Sequence, residues 1–244
     1  MPGTLTTNLT ERFAADGYLV LPDLIPQSTV DRVRSDAQAL LASLVHRMVA
    51  TCHLEPRVTW WRLDTGRPYV LKIKPVTDLV PSVRALARHP QLTGTATELL
   101  GAAACLMEDK IMYKQTVNVP AAWANLPTFG EEVCKHTDAA YFAARGYPHV
   151  LTVAVCLDEC TAEAGALRVW PGTHSRRIPM MPTEHQGPIV PDDAAPDSDA
   201  VTLTASPGSV LMWDAALVHA SGPNTSRHPR RLVVLGYAPA TEPS

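Results

Sequence analysis

A histidine and an aspartate separated by one residue, His136 and Asp138, could bind a metal together, and His219 is the natural third ligand. Residues i and i+2 of a strand point to the same face, so one strand end can present an imidazole beside a carboxylate. His219 follows a predicted strand over residues 209–213. Two imidazoles and one carboxylate on one face of an octahedron are typical of a non-haem Fe(II) site with positions left open for a cosubstrate and O₂.

Other interpretations of these residue types stay open. A His-x-Asp pair also occurs by chance in polar turns, and a structural zinc site would normally be tetrahedral and use cysteines. The chain has five cysteines and no Cys-x-x-Cys pair. Cys156 and Cys160 could form a metal pair, but the pattern favours reduced thiols that mostly fill the core of a cytoplasmic protein.

Arg230 is a candidate for an anion site. It lies eleven residues after His219 and just before a predicted strand over 232–237. If the two strands are neighbours, its guanidinium reaches the cavity of the histidine. A dicarboxylate bound to iron at one end needs a fixed cation at the other, and arginine offers a planar bidentate fork. Alternatively, Arg230 and Arg231 form an ordinary exposed pair.

Helical periodicity fills the first half of the chain, and a period of two fills much of the second half. Helices are predicted over 9–16, 26–50 and 81–100, the last with a break at His89-Pro90. Strands are predicted over 18–21, 58–63, 69–74, 104–119, 150–157, 166–170, 201–203, 209–213 and 232–237. This order predicts an α+β fold with a β-dominated core, in which helices pack on an antiparallel sandwich or barrel.

The length and composition favour a single domain over 1–244. Hydrophobic residues make up 46% of the 244 residues and charged residues 18%, which allows one sizeable core. Two segments without a regular pattern, 120–135 and 178–200, are predicted to be lid loops, because long loops in a compact domain are often lids or binding loops. The first contains Trp123 and Phe129, which favour an apolar or aromatic substrate.

Several classes of partner are disfavoured. The net charge is −3 and no Lys/Arg run occurs, so no nucleic-acid partner is expected. No apolar stretch reaches the ~20 residues that span a membrane. Residues 1–8 lack the pattern of a signal peptide. We therefore predict a cytoplasmic protein that acts on a small molecule, while the sequence leaves its oligomeric state open.

Four stretches together resemble the phytanoyl-CoA dioxygenase family of Fe(II)/2-oxoglutarate enzymes. They keep the order of the family and cover nearly the whole chain. They are residues 13–22, His136-Thr137-Asp138, residues 165–175, and residues 208–230, which include His219, Ser221, Gly222, Asn224 and Arg230. The resemblance implies a double-stranded β-helix (a jelly-roll, or cupin-like, core) with the N-terminal helices packed outside.

The resemblance also implies roles for individual residues. It implies that His136, Asp138 and His219 bind Fe(II), and that Arg230 pairs with the distal carboxylate of 2-oxoglutarate. Family members add polar side chains from the strand before the first histidine. We assign that role to Gln115, with Lys114 less favoured, and add Thr152 and Ser221 as further candidates. Candidate substrate contacts are Trp123, Phe129, Tyr141 and Phe142, with Trp60, Trp61 and Met180–Met181 as further lining.

The implied reaction is oxidation of an unactivated C–H bond by O₂, coupled to conversion of 2-oxoglutarate to succinate and CO₂. Hydroxylation, epimerisation, cyclisation or desaturation can follow, depending on how the substrate sits. Halogenase relatives have a small residue in place of the aspartate, so Asp138 argues against halogenation. The expected substrate is a small, apolar or polycyclic natural product of antibiotic or other secondary metabolism. A non-catalytic jelly-roll that binds a small ligand and a zinc-dependent cupin-like enzyme are the alternatives.

Overall fold

Five α-helices occur in the part of the chain that this computed structural model describes, which is residues 3–62, 68–115, 132–183 and 187–240. In α2, apolar residues at helical spacing are buried on one face, including Val30, Val33 and Ala37. Pro90 begins α4, so the helix predicted over 81–100 is indeed interrupted at His89-Pro90. The helices are α1 (Gly3–Asp16), α2 (Gln27–Thr51), α3 (Pro81–Leu86), α4 (Pro90–Leu100) and α5 (Ala139–Ala143).

The strands form two antiparallel sheets within the described residues. The larger sheet has the order β1-β9-β6-β11-β4-β3-β2 and the smaller one the order β5-β10-β7-β8. Their bounds are β1 (Tyr18–Leu21), β2 (Val58–Arg62), β3 (Pro68–Ile73), β4 (Ala104–Lys114), β5 (Val133–His136), β6 (Leu151–Cys156), β7 (Leu167–Val169), β8 (Val201–Leu203), β9 (Val210–Asp214), β10 (His219–Ser221) and β11 (Arg230–Pro239).

Apolar clusters show how the layers stack. One face of the larger sheet packs against α2, α3 and α4, for example through Val153 and Val233. Its other face packs against the smaller sheet, for example through Leu211 of β9 and Val169 of β7. The predicted α+β fold with a β-dominated core and helices outside is therefore confirmed. No helix among the described residues is long and apolar enough to cross a membrane.

The described residues of segment 178–200, which are 178–183 and 187–200, pack on the outer face of the smaller sheet, behind the face that meets the larger sheet. Val190 and Ala195 are buried there with Trp170 and Val218. The indole of Trp170 donates a hydrogen bond to the carbonyl of Pro196 at 2.7 Å. These contacts hold residues 190–196 in place, so a lid role for the segment stays a prediction.

Two short elements, α5 and β10, of five and three residues, were not predicted from the sequence, and β5, of four residues, was expected only as a strand end at His136. Such runs are too short for a periodic signal to stand out. One boundary must be corrected as a result: the predicted loop over 120–135 runs too far, because Val133–His136 is a strand. Residues 116–131 lie outside the described part of the chain, and Trp123 and Phe129 with them.

Candidate metal centre and cosubstrate pocket

The three predicted metal ligands meet between the two sheets. His136 of β5 pairs with His219 of the adjacent strand β10, and their ring centroids are 4.2 Å apart. Asp138 lies two residues beyond His136, the last residue of β5, and just before α5. Its carboxylate oxygens lie 3.5 Å from Nε2 of His136 and 3.7 Å from Nε2 of His219. Among the described residues this is the only group of three His, Cys, Asp or Glu side chains whose ligand atoms lie close enough to hold one metal ion.

Backbone carbonyls orient both imidazoles. Nδ1 of His136 lies 2.8 Å from the carbonyl oxygen of Cys134, and Nδ1 of His219 lies 3.0 Å from that of Leu217. A carbonyl can only accept, so each Nδ1 carries the proton and each Nε2 presents a lone pair. This is the tautomer that binds a metal through Nε2, with the other nitrogen held by a backbone group.

The protonation states suit a cation. Burial and the neighbouring His136 lower the pKa of His219 to about 4, so its imidazole is neutral near pH 7. Burial alone would raise the pKa of Asp138, but the adjacent rings of His136 and His219 outweigh it and hold the pKa below its ordinary value. The donor set is thus two imidazoles and one carboxylate, which fits Fe(II).

Arg230 is the first residue of β11 and lies on the inner face of the larger sheet, which is the face that meets the smaller sheet. It lies opposite Lys114 of β4. Its side chain is buried, and its Nε donates to the carbonyl of Ala164 at 3.3 Å. No carboxylate among the described residues forms an ion pair with it. A buried guanidinium is costly without a negative partner. This site is therefore suited to the carboxylate of a bound molecule.

Lys114 extends into the same region. It is 2% exposed, and its ammonium donates to Oγ of Ser221 at 2.8 Å and to the carbonyl of Gly222. The side chain of Asn224 donates to the backbone carbonyl of Lys114 at 2.9 Å. The turn after β10 is therefore tied to the end of β4, next to Arg230.

Gln115, the residue preferred from the sequence, makes a different contact. Its Nε2 donates to the carbonyl of Val70 on β3 at 3.1 Å. Thr152 lies on the inner face opposite Trp213, whose ring centroid is 5.4 Å from that of His219. The hydroxyl of Thr152 is buried and has no hydrogen-bond partner within the described ranges. Of the polar candidates, Lys114, Ser221 and Thr152 therefore lie on the side of the triad.

The two described substrate candidates lie in different environments. Phe142 is 2% exposed and packs with Val150, Ala215 and Ala238, so it fills a hydrophobic cluster. Tyr141 is 48% exposed, and its hydroxyl accepts a hydrogen bond from Lys74 at 2.7 Å. Of the further lining, Trp60 packs on the helix side of the larger sheet, and Met180 packs behind the smaller sheet.

A charged cluster that the sequence did not single out adjoins Tyr141. The carboxylate of Glu108 is buried and lies 2.7 Å from Lys74, 3.1 Å from Lys110 and 2.5 Å from Arg145. Burial opposes its charge, but Lys110 and Lys74 outweigh that effect and lower the pKa of Glu108 to about 2. The sequence signal that could have revealed this cluster is charged residues at alternating positions in two strand segments, Lys72 with Lys74 and Glu108 with Lys110.

Comparisons with known proteins agree with this geometry. The model of the family Phytanoyl-CoA dioxygenase (PhyH) matches residues 13–232. The probable alpha-ketoglutarate-dependent hypophosphite dioxygenase of Stutzerimonas stutzeri is 26% identical over 170 residues, which cover 65% of this chain but only 54% of the relative. The L-proline trans-4-hydroxylase of Streptomyces griseoviridis is 25% identical over 248 residues, which cover 93% of this chain and 84% of the relative.

A solved structure has the same fold. The epimerase SnoN, in complex with Fe3+, alpha ketoglutarate and nogalamycin RO, matches with a TM-score of 0.74 at 21% identity, over 97% of this chain and 84% of SnoN. This likeness confirms the double-stranded β-helix that the resemblance implied. Since the family model covers most of the sequence, the chain belongs to the phytanoyl-CoA dioxygenase (PhyH) family of Fe(II)- and 2-oxoglutarate-dependent oxygenases.

Proposed function

We propose that this chain oxidises an unactivated C–H bond of a small molecule, with Fe(II) held by His136, Asp138 and His219. The observation that carries the proposal is the convergence of these three side chains on one point. Bound iron would supply the activation of O₂, and 2-oxoglutarate would supply two electrons as it becomes succinate and CO₂. The protein contributes the fixed geometry of the three ligands.

We assign the distal carboxylate of 2-oxoglutarate to Arg230. Its guanidinium is buried without a carboxylate partner among the described residues, and Lys114, which lies opposite it, donates a hydrogen bond to Ser221. The hydroxyl of Thr152 is available on the inner face. The hydrogen bonds support Lys114 over Gln115 for this role, because the amide of Gln115 is bonded to the backbone of β3.

We propose a natural product of secondary metabolism as the substrate. SnoN, which has the same fold, was solved with nogalamycin RO, whereas the named relatives act on hypophosphite and L-proline. Hydroxylation, epimerisation, cyclisation and desaturation all begin with the same attack on a C–H bond. The position of the substrate relative to the iron selects among them.

The proposal is tested by adding Fe(II) and then 2-oxoglutarate without oxygen. The expected result is the weak visible charge-transfer band of chelated ferrous iron in the wild type and no band in Asp138→Ala. Asp193→Ala removes an exposed carboxylate of the outer loop and serves as the matched control, which should keep the band. Absence of the band in folded wild-type protein would refute the iron site, and turnover restored by Zn(II) alone would favour a zinc enzyme instead.

A further inference from the structure

Lysine is unevenly distributed in this chain. There are only five lysines among the 21 basic residues, and the other basic residues are arginines. Four of the lysines, Lys72, Lys74, Lys110 and Lys114, lie on β3 and β4 or directly after β3. These two strands are neighbours in the larger sheet, so the ammonium groups are concentrated on one part of the barrel wall.

Strand pairing shows which way these lysines point. Lys72 pairs with Met112, and the next pair along the ladder is Ile73 with Ile111. Ile73 and Ile111 are buried in the helix-side core, whereas Met112 packs on the cluster between the sheets. Paired residues share a face and neighbours alternate. Lys72 therefore lies on the face of the larger sheet that meets the smaller sheet, where the metal ligands are, and so does Lys110, two residues from Met112.

Positive charge exceeds negative charge at this place. Glu108 is the one carboxylate that forms ion pairs with Lys74, Lys110 and Arg145 in the described structure. Lys72 is half-buried beside them and has no hydrogen-bond or ion-pair partner within the described ranges. Burial and the adjacent Lys110 lower the pKa of Lys72. The other nearby carboxylate, Asp138, is assigned to the metal.

This cationic group is separate from the cosubstrate pocket. Lys110 and Lys114 are four residues apart on β4, which corresponds to about 13 Å along a strand. Lys114 lies at Ser221, two residues beyond His219 on β10. Besides burial and the neighbouring metal ligands, the positive charge of Lys110 contributes to lowering the pKa values of Asp138 and His219. An anion at Lys72 and Lys110 would thus be close to the metal ligands without occupying the Arg230 end.

We infer that the substrate of this enzyme carries an acidic group, a carboxylate or phosphonate, that binds to Lys72 and Lys110 on the inner face of β3 and β4. The inference rests on the proposed function and defines its substrate class. A substrate with an apolar skeleton and one acidic group would fit both the apolar substrate expected from the sequence and the positive charges of Lys72 and Lys110. The ion pairs of Glu108 also connect the end of α5 to β4, but they involve Lys74, Lys110 and Arg145. They do not explain Lys72, which has no ion-pair partner among the described residues.

A direct binding test uses the small number of lysines. Protein labelled with ¹³C at lysine Cε gives one signal for each of the five lysines, and single Lys→Arg variants assign them. Zn(II) and saturating 2-oxoglutarate are added first, so that the Arg230 pocket is filled. The probes are phenylphosphonate and its neutral dimethyl ester. Phenylphosphonate should shift the signals of Lys72 and Lys110 and leave that of Lys135 in place. Equal shifts with the neutral ester would overturn the inference.

A charge-removal variant tests the same point by affinity. Lys72→Met should weaken phenylphosphonate binding by about tenfold, because a charge-assisted hydrogen bond is lost from a partly buried site. Lys72→Arg should retain most of the affinity. Arg88→Met, which removes one exposed positive charge on the helix side, should bind like the wild type. Unchanged affinity in Lys72→Met would refute the acidic-substrate inference, while the ferrous 2-oxoglutarate band tests the proposed function independently.

Discussion

His219 illustrates how surroundings turn a common residue into a metal ligand. It is one of nine histidines in the chain. It differs from an ordinary histidine in that it is buried, its Nδ1 is bonded to the carbonyl of Leu217, and its pKa is lowered to about 4. An imidazole that stays neutral needs to lose no proton before it binds a cation. The residue type is visible in the sequence, but this chemical state comes from burial.

Arg230 leads to a prediction about the cosubstrate. In Arg230→Met the affinity for 2-oxoglutarate should fall about 10- to 100-fold, because a bidentate charged contact is replaced by an apolar side chain. Iron binding should persist, since the triad is unchanged. Titration of the charge-transfer band with 2-oxoglutarate measures both. Arg227→Met removes an exposed arginine nearby and serves as the control. A wild-type dissociation constant in Arg230→Met would contradict the assignment.

Glu108 leads to a prediction about pH and stability. Its pKa is lowered from 4.5 to about 2, so its ion pairs stabilise the fold fully above about pH 4.5 and lose that contribution as the pH falls towards 2. After allowance for solvent screening the contribution is about 1–2 kcal/mol. Glu108→Gln should be less stable than the wild type at pH 7, and the difference should shrink at acid pH.

Chemical denaturation of both proteins between pH 2.5 and 7 measures this difference. Other carboxylates with lowered pKa values, such as Asp78 and Asp197, titrate equally in the two proteins and cancel in the comparison. A gap in unfolding free energy that stays constant across this pH range would show that the Glu108 ion pairs contribute nothing through their charge.

At the scale of elements, two tight turns bring β10 and β11 into position. Gly165 precedes β7 and has a φ of +69°, and a Cβ at this position would collide with the carbonyl oxygen of Gly222. Lys114 donates to the same carbonyl. The close approach of the two turns therefore depends on a residue without a side chain, and it determines where Ser221 and Arg230 lie.

Gly165→Ala should lower the unfolding free energy by about 1–3 kcal/mol, because it adds both backbone strain and a steric clash. It should also weaken 2-oxoglutarate binding, since the Gly222 turn must move. Gly94→Ala is the matched control: Gly94 lies within α4, nothing lies within 4 Å of an added Cβ, and stability should rise slightly. Thermal unfolding and cosubstrate titration test both variants. Equal behaviour of the two alanines would contradict the role given to the Gly165 turn.

At the scale of the whole molecule, iron should stabilise the fold. The ligands come from the last residue of β5, from Asp138 two residues later and from the first residue of β10. The unfolded chain does not hold these residues together. Fe(II) at 100 times its dissociation constant should add about 2.7 kcal/mol to the unfolding free energy, or roughly 5–10 °C in Tm. Anaerobic thermal unfolding with and without Fe(II) measures this effect. Asp138→Ala should show no increment, and a wild-type Tm that ignores Fe(II) would argue against the site.

Much of the layered fold was predictable, because its signals are local. The long helix α2 and the strands near 150–157 and 209–213 have clear periods of 3.6 and two, and the structure has them at those places. Strand β10 was not predictable in this way, because three residues carry no period. Its position is set by pairing with β5 and β7. His219 pairs with His136, 83 residues earlier in the chain, and with Val169, 50 residues earlier.

Residue type and order in the sequence were enough to predict the cluster of His136, Asp138 and His219 and the family, because both are expressed directly in those features, whereas the anion role of Arg230 stays a proposal. Which face of β4 points inward was settled by strand pairing in the folded chain. The alternation of Tyr113 and Gln115 with Lys114 is visible in the sequence, but both faces of this strand are covered. Pairing with β3 and β11 places Lys110 and Lys114 towards the smaller sheet. Such pairing joins residues far apart in the chain, which local patterns do not encode.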